Sequence, residues 1–125
     1  MKLHLDKAPG EYRISAYTPD AIVVNDEPQN DSVIVSATAP PIWWPPNSVE
    51  EIDAAAIALL LEYDPEVVLI GTGARQIFPD MQLFSALYER GIGVEVMDTK
   101  AACRTFNIVA AEARRVVAGL IPLHA

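Results

Sequence analysis

Cysteine is nearly absent from the 125-residue chain; Cys103 is the only one. No intrachain disulfide can form, which excludes a disulfide-stapled secreted scaffold and fits a reducing compartment. Histidine is almost as scarce. One cysteine and two histidines, His4 and His124 at opposite ends, cannot supply a Cys/His zinc site. Basic residues are missing over a long stretch, with no Lys or Arg between Arg13 and Arg75. Phosphate binding needs a basic stripe, so nucleic acid is not an expected partner, and neither is an anionic membrane surface. Long apolar runs are missing too. The longest, Ala54 to Leu61, is far too short to span a bilayer, so membrane insertion is not expected. The opening MKLHLDKAPG has neither the apolar core of a signal peptide nor the Arg-rich character of a mitochondrial presequence, and it predicts a cytoplasmic protein. No solenoid-period repeat and no low-complexity linker occur.

What is present is a globular composition, 51% hydrophobic and 21% charged, sufficient for one α/β domain over residues 1–125. The net charge of −8 is unevenly placed. Residues 1–65 hold eleven acids and three bases, whereas residues 66–125 hold six of each.

The first third reads as strands and turns. Tyr12, Ile14 and Ala16 alternate with Arg13, Ser15 and Tyr17 as in a half-buried strand. Pro19-Asp20 and Asn25-Asp26 bound the short apolar run Ala21 to Val24, and Ser32 to Ala37 is β-branched and apolar. Together these predict a hairpin or meander. Four prolines then bracket Ile42, Trp43 and Trp44, so neither a helix nor a central strand fits there. The two tryptophans either pack down on the core or stand as an interaction patch. Ser48 with Glu51 has capping-box spacing and opens a predicted helix that Asp64-Pro65 ends. The apolar run Val67 to Ile70 fits a strand covered on both faces. Pro79-Asp80 starts a second helix with Phe84, Leu87 and Tyr88 inward, and Ile92 to Val96 forms the next strand. Asp98 is the expected N-cap of a last helix. Its stripe of Ala102, Phe106, Val109, Ala113, Val116, Val117 and Leu120 runs for about twenty residues. The pattern predicts an N-terminal β-meander followed by a βαβα half with parallel strands.

One constellation carries candidate chemistry. Strand C-terminal ends in an open α/β sheet form a ligand-binding edge, and Gly71, Thr72, Gly73, Arg75, Asp98 and Thr99 fall there. Arg75 would hold an anion against exposed amides. A dinucleotide reading of Gly71-Thr72-Gly73 is opposed by Gln76 at the third-glycine position and by the loop before the next helix. Cys103 and Arg104 lie in the second turn of the last helix, where a thiol pKa can fall. No histidine base is near in sequence, and a buried apolar thiol is the favoured role. No Ser/His/Asp set, metal box or cofactor motif is recognisable, which favours a non-catalytic protein. A second candidate surface is acidic: Asp20, Asp26, Glu27 and Asp31 lie around the hairpin, ordinarily a solvated face, and Asp26, Glu27 and Asp31 with Trp43 and Trp44 are the candidate protein contacts. It would dock a basic protein partner.

The run Val67 to Gly73 (VVLIGTG), Pro79, the block Gly91 to Asn107 (GIGVEVMDTKAACRTFN), and Glu112, Arg114 and Arg115 resemble a family of small α/β domains of largely unknown function. That family includes mitochondrial complex I assembly factor 3 and the adipogenesis-associated domain protein. The resemblance extends over nearly the whole chain. It implies a three-layer fold with a mixed central, partly Rossmann-like sheet, no established catalytic residue, and an assembly role in the mitochondrial member. The chain resembles a bacterial-type, single-domain member. Two functions follow. One is an assembly-factor-like domain that binds another protein. The other is a small-molecule or anion-binding protein, or an enzyme, with its site at the strand edge. A homo-oligomer in which a second subunit covers the tryptophans stays open.

Overall fold

The computed structural model describes residues 1–3 and 7–124; His4 lies outside them. Five strands make a mixed central sheet and three make an antiparallel front sheet. The front sheet is β1 (Ile14–Tyr17), β2 (Ile22–Val24) and β3 (Glu27–Gln29). Asn25 and Asp26 both adopt positive φ, 47° and 68°, in the two-residue loop pairing Val24 with Glu27. This is the mirror-image turn that matches strand twist, and Asn and Asp tolerate it.

The central sheet adds β4 (Val33–Ser36), β5 (Ile42–Trp43), β6 (Val67–Thr72), β7 (Gly93–Met97) and β8 (Val116–Ile121), in the order β5-β4-β8-β6-β7. β8 runs parallel to β6 and antiparallel to β4, and β6 runs parallel to β7. Three helices complete the fold: α1 (Ala54–Leu61), α2 (Ser85–Glu89) and α3 (Thr99–Ala111). Alternate strand residues divide the core between the two sheet faces. Val35, Leu69, Ala118 and Leu120 meet Phe106 and Cys103 of α3 and Ile14 and Ile22 of the front sheet. Ile34, Val68, Ile70 and Val117 meet Leu60 of α1, Leu87 of α2 and Trp44. The result is the expected three-layer α/β architecture.

Four expectations need correction. The last helix does not continue to Leu120. It ends at Ala111, and Val116–Ile121 is a fully buried strand at the centre of the sheet. The C-terminal half is therefore βαβαβ, with its final strand inserted between β4 and β6. Ser48 caps no α-helix, because Val49–Glu51 is a single 3₁₀ turn and Asp53 caps α1 by accepting from the Ala56 N–H at 2.9 Å. Tyr88 is exposed, whereas Phe84 and Leu87 are buried as expected. Arg13 does not face solvent. Its side chain is 2% exposed, donates to the Tyr12 carbonyl at 2.9 Å and pairs with Glu11 at 3.4 Å.

Two polar devices lock the layers. Asn107 in the middle of α3 acts as a strand partner for Ile14. Its Oδ1 accepts from the Ile14 N–H at 3.0 Å, and its Nδ2 donates to the Ile14 carbonyl at 2.8 Å. Trp44, fully buried, donates its indole N–H to the Ala56 carbonyl at 3.1 Å. The ring lies where a side chain on Gly119 would be; a Cβ there would come within 2.8–2.9 Å of three ring atoms. Gly119 is thus a seat for the indole in the central strand.

Candidate functional site

At the strand ends the predicted residues do come together, but they bind one another. Thr99, first residue of α3, is fully buried. Its hydroxyl accepts from the Gly73 N–H at 2.8 Å and donates to the Ile121 carbonyl at 2.6 Å, while its own N–H donates to the Gly73 carbonyl at 2.9 Å. One side chain therefore ties the ends of β6, β8 and α3. Both backbone groups of Gly73, which has φ of 97°, are spent on Thr99. A Cβ on Gly71 would stand 2.9 Å from the Thr99 hydroxyl and from Leu120, so only glycine admits this close approach. Thr72 donates to the Arg75 carbonyl and accepts from the Ile77 N–H at 3.2 Å, folding the loop back on the strand. Gln76 donates its amide to the Val96 carbonyl at 3.0 Å. The helix N-terminus that would receive a pyrophosphate is absent at the glycines, since the next helical turn begins only at Met81.

The remaining predicted residues take separate positions. Asp98 caps α3, accepting from the Ala101 N–H at 2.9 Å. Cys103 is fully buried, and its thiol is pushed up to about 12 by desolvation, against a downward pull from Arg104 and with a further rise from Asp98. Such a thiol is protonated at neutral pH and not a nucleophile. Arg104 turns to the front sheet and donates to the Tyr17 hydroxyl at 3.2 Å. Arg75 is exposed. A cavity of about 400 Å³ opens beside the sealed edge, walled by Tyr17, Thr18, Pro19, Ala74, Lys100 and Leu123. Of the predicted ligand set none lines it. Lys100, which the sequence pattern did not single out, does. Among the described residues, no group of three or more His, Cys, Asp or Glu is placed to hold a metal ion.

The acidic surface has a different character. Asp26, Glu27 and Asp31 are all exposed. The hairpin tip carrying the first two is held firmly: Asn25 accepts from the Arg13 N–H at 2.9 Å and donates to the Glu11 carbonyl at 2.9 Å, and the Asp26 N–H donates to Ser15 at 2.9 Å. Asp31 adjoins Ser32, whose carbonyl accepts from the Trp44 N–H at 2.9 Å, so it sits next to the tryptophan segment. The two tryptophans part company there. Trp44 enters the core, whereas Trp43 is 62% exposed with Ile42 on the sheet-edge strand β5.

Residues 14–121 match a family described as protein of unknown function (DUF498/DUF598). The chain belongs to the DUF498/DUF598 family. The Danio rerio NADH dehydrogenase (ubiquinone) 1 alpha subcomplex assembly factor 3 is 37% identical over 113 residues, covering 87% of this chain and 63% of that protein. The chain thus spans less than two thirds of that relative's length. A 13 kDa major membrane protein of Francisella tularensis is 27% identical over 117 residues, covering 93% of this chain and 95% of that protein. The solution structure of a Bordetella pertussis protein described as a Mth938-like domain superposes with a TM-score of 0.83 at 33% identity, covering 98% of this chain and 93% of that one. The DUF498/DUF598 family therefore includes assembly factors, and its fold is the three-layer one described above. No described helix of this member is long and apolar enough to cross a membrane.

Proposed function

We propose that this chain is a non-catalytic, assembly-factor-like domain of the cytoplasm that works by binding another protein. The observation carrying this reading is the sealed strand edge. The place where an open α/β sheet ordinarily holds a ligand is occupied by Thr99, and the one thiol is buried and protonated. The assembly-factor relative supports the same reading. The contact surface we assign is the exposed Trp43 with the adjoining Asp31, together with the exposed Asp26 and Glu27 of the hairpin tip. Aromatics anchor interfaces, and charge complementarity sets partner choice and on-rate. A basic, apolar-tipped segment of a partner protein suits it.

Crosslinking followed by affinity purification from the source cell tests this. The full chain should recover a defined partner set that Trp43→Ala loses and that the Asp26, Glu27 and Asp31 to Lys triple variant loses at low salt. Ile108→Ala, which trims an exposed apolar residue on α3, should retain it. Equal recovery by all four proteins, each folded, would overturn the assigned surface.

The alternative is an anion or small-molecule site beside the strand edge. It is favoured only by the cavity next to Ala74 and Lys100. A thermal-shift screen of nucleotides and anionic metabolites tests it, since a ligand specific to the native state raises the melting temperature. A rise that Lys100→Ala abolishes would support it, and no rise would remove it.

A further inference from the structure

The central sheet has two edges. At one, β5 is two residues long and carries Trp43. At the other, β7 is a five-residue strand that pairs only with β6 among the described residues. An unpaired strand edge is a template for another strand. The direction of each backbone group on β7 follows from its neighbours. The peptide bonds are trans among the described residues, so the carbonyl of one residue points away from the N–H of the next. The Gly93 N–H donates inward to the Glu66 carbonyl at 3.0 Å, so the Ile92 carbonyl points outward. By the same alternation, the N–H and C=O groups of Val94 and Val96 point outward.

Two groups on this edge are already spent. The Ile92 N–H donates to the Leu87 carbonyl at 3.0 Å, and the Val96 carbonyl accepts from the Gln76 amide at 3.0 Å. The Ile92 carbonyl, the Val94 N–H, the Val94 carbonyl and the Val96 N–H have no partner among the described residues. Along the strand they read acceptor, donor, acceptor, donor. Reversed, the same row reads donor, acceptor, donor, acceptor. A second copy turned antiparallel about Val94 therefore meets each group with its complement. The two Val94 residues exchange both bonds, and each Val96 N–H donates to the other copy's Ile92 carbonyl. A longer ladder would next call on the Ile92 N–H and the Val96 carbonyl, which each chain satisfies for itself. An unrelated strand would bring an unpaired N–H and C=O to those places, and burying them is costly.

Gly93 points the same way. Glycine inside a strand weakens it and ordinarily marks a close approach. Nothing within the chain requires it, since its φ is not positive and a Cβ would meet only the Glu66 carbonyl, at an ordinary 3.8 Å. With the pair centred on Val94, Gly93 faces the other copy's Glu95, and the missing side chain makes room for that carboxylate. Centring on Glu95 would set two carboxylates directly opposite, which is unfavourable. Centring on Val96 would need the carbonyl that Gln76 holds. The charges agree, because residues 66–125 hold six acids and six bases and can meet their own copy without net repulsion. Exposed apolar surface flanks the edge as well: Phe78 lies beyond Gln76 toward the Val96 end, and Tyr88 lies before Ile92 at the other. The two-fold brings Phe78 of each copy toward Tyr88 of the other.

We propose that β7 is a homodimer interface, through which two copies of this chain pair antiparallel about Val94 and join their central sheets into one. The surface around Trp43 lies at the opposite edge and stays free, so the inference does not depend on the protein-docking reading.

Sedimentation equilibrium of the full chain over a range of concentrations tests it. The mass should rise from 13.6 kDa toward twice that value as concentration increases. Gly93→Glu sets like charges across the two-fold twice. It should weaken the dimer roughly tenfold at low salt without lowering the melting temperature. Adding Glu95→Lys to that variant should restore the dimer, because glutamate then faces lysine. Amide exchange of the native chain gives a reading that needs no variant: the Val94 and Val96 amides should be protected at high concentration and lose protection on dilution. Three results would overturn the interface. They are a mass of 13.6 kDa at every concentration up to about 1 mM, a folded Gly93→Glu variant that dimerises as tightly as the native chain, or a dimer that Trp43→Ala disperses while the Val94 amide exchanges freely.

Discussion

The two ends of the central sheet share strands but solve opposite problems. At the C-terminal end the buried polar side chains are spent on neighbours: Thr99 serves Gly73 and Ile121, Asp98 serves Ala101, and Thr72 serves the loop. At the other end, where β4 stops, the buried Ser36 hydroxyl has no partner among the described residues. Fold analogy directs attention to the first end, because ligands of open α/β sheets bind there. A site is recognised by groups with capacity left, not by position in a fold.

The sharpest way to break this comparison is Thr99→Val. It keeps the shape and removes the hydroxyl, leaving the Gly73 N–H and the Ile121 carbonyl buried without partners. Each orphaned group costs about 1–3 kcal/mol, so urea unfolding should show a loss of roughly 3 kcal/mol and melting a drop of roughly 10 °C. Gly71→Ala attacks the same seal by crowding. Its new methyl must displace Leu120 and Thr99, and a loss of about 2 kcal/mol in the same measurement is expected.

Cys103, packed under the sealed end, gives a pH test. The folded thiol ionises near 12 and the unfolded one near 9.0. Below pH 9 both states hold the proton and stability is unaffected. Above it the unfolded state loses its proton first, so stability should fall by up to about 1.4 kcal/mol per pH unit until the folded thiol also ionises. Denaturant titration from pH 8 to 10 should show this slope in the native chain and not in Cys103→Ala. The smallest effect is expected at the open end. Ser36→Ala removes a hydroxyl with no partner among the described residues, so stability should stay within about 0.5 kcal/mol or rise. A loss as large as that of Thr99→Val would show that Ser36 is bonded after all and that the two ends are alike.

Several elements were legible because one residue type has one physical use in its place. Asn25-Asp26 marked the tight hairpin, Asp98 capped α3, and the continuous run Val67 to Ile70 became a strand buried on both faces. The final strand was not legible. Val116 to Leu120 continued the apolar stripe of α3, and the usual break, a glycine, is missing. Ala113 turns the chain instead, with φ of 61°, a conformation alanine seldom adopts. At α1 the capping-box spacing misled because neither of its two bonds forms. Glu51 accepts from the Asn47 N–H at 2.7 Å, one residue before the cap, and the Ser48 side chain makes no cap bond. Of the candidate site, the sequence brought Gly71, Thr72, Gly73 and Thr99 to one edge but could not reveal that Thr99 closes it, since a threonine at a helix start reads the same in either role. Ser36 gave no signal at all. An orphaned hydroxyl is a property of surroundings, and those surroundings come from segments far apart in the chain.

The place of β8 has a consequence for biosynthesis. Among the described strands it is the last to be synthesised and the one that holds the middle of the sheet, joining β4 on one side and β6 on the other. Until Val116–Ile121 emerges, β6 and β7 can pair and the front sheet can form, but Trp44 has no Gly119 to rest on and β4 has no central neighbour. The nascent chain therefore carries two half-sheets with open inner edges, and such edges are hazards for mispairing. The fold cannot lock before Val116–Ile121 is available, so emergence of β8 is itself the step that commits the chain to structure.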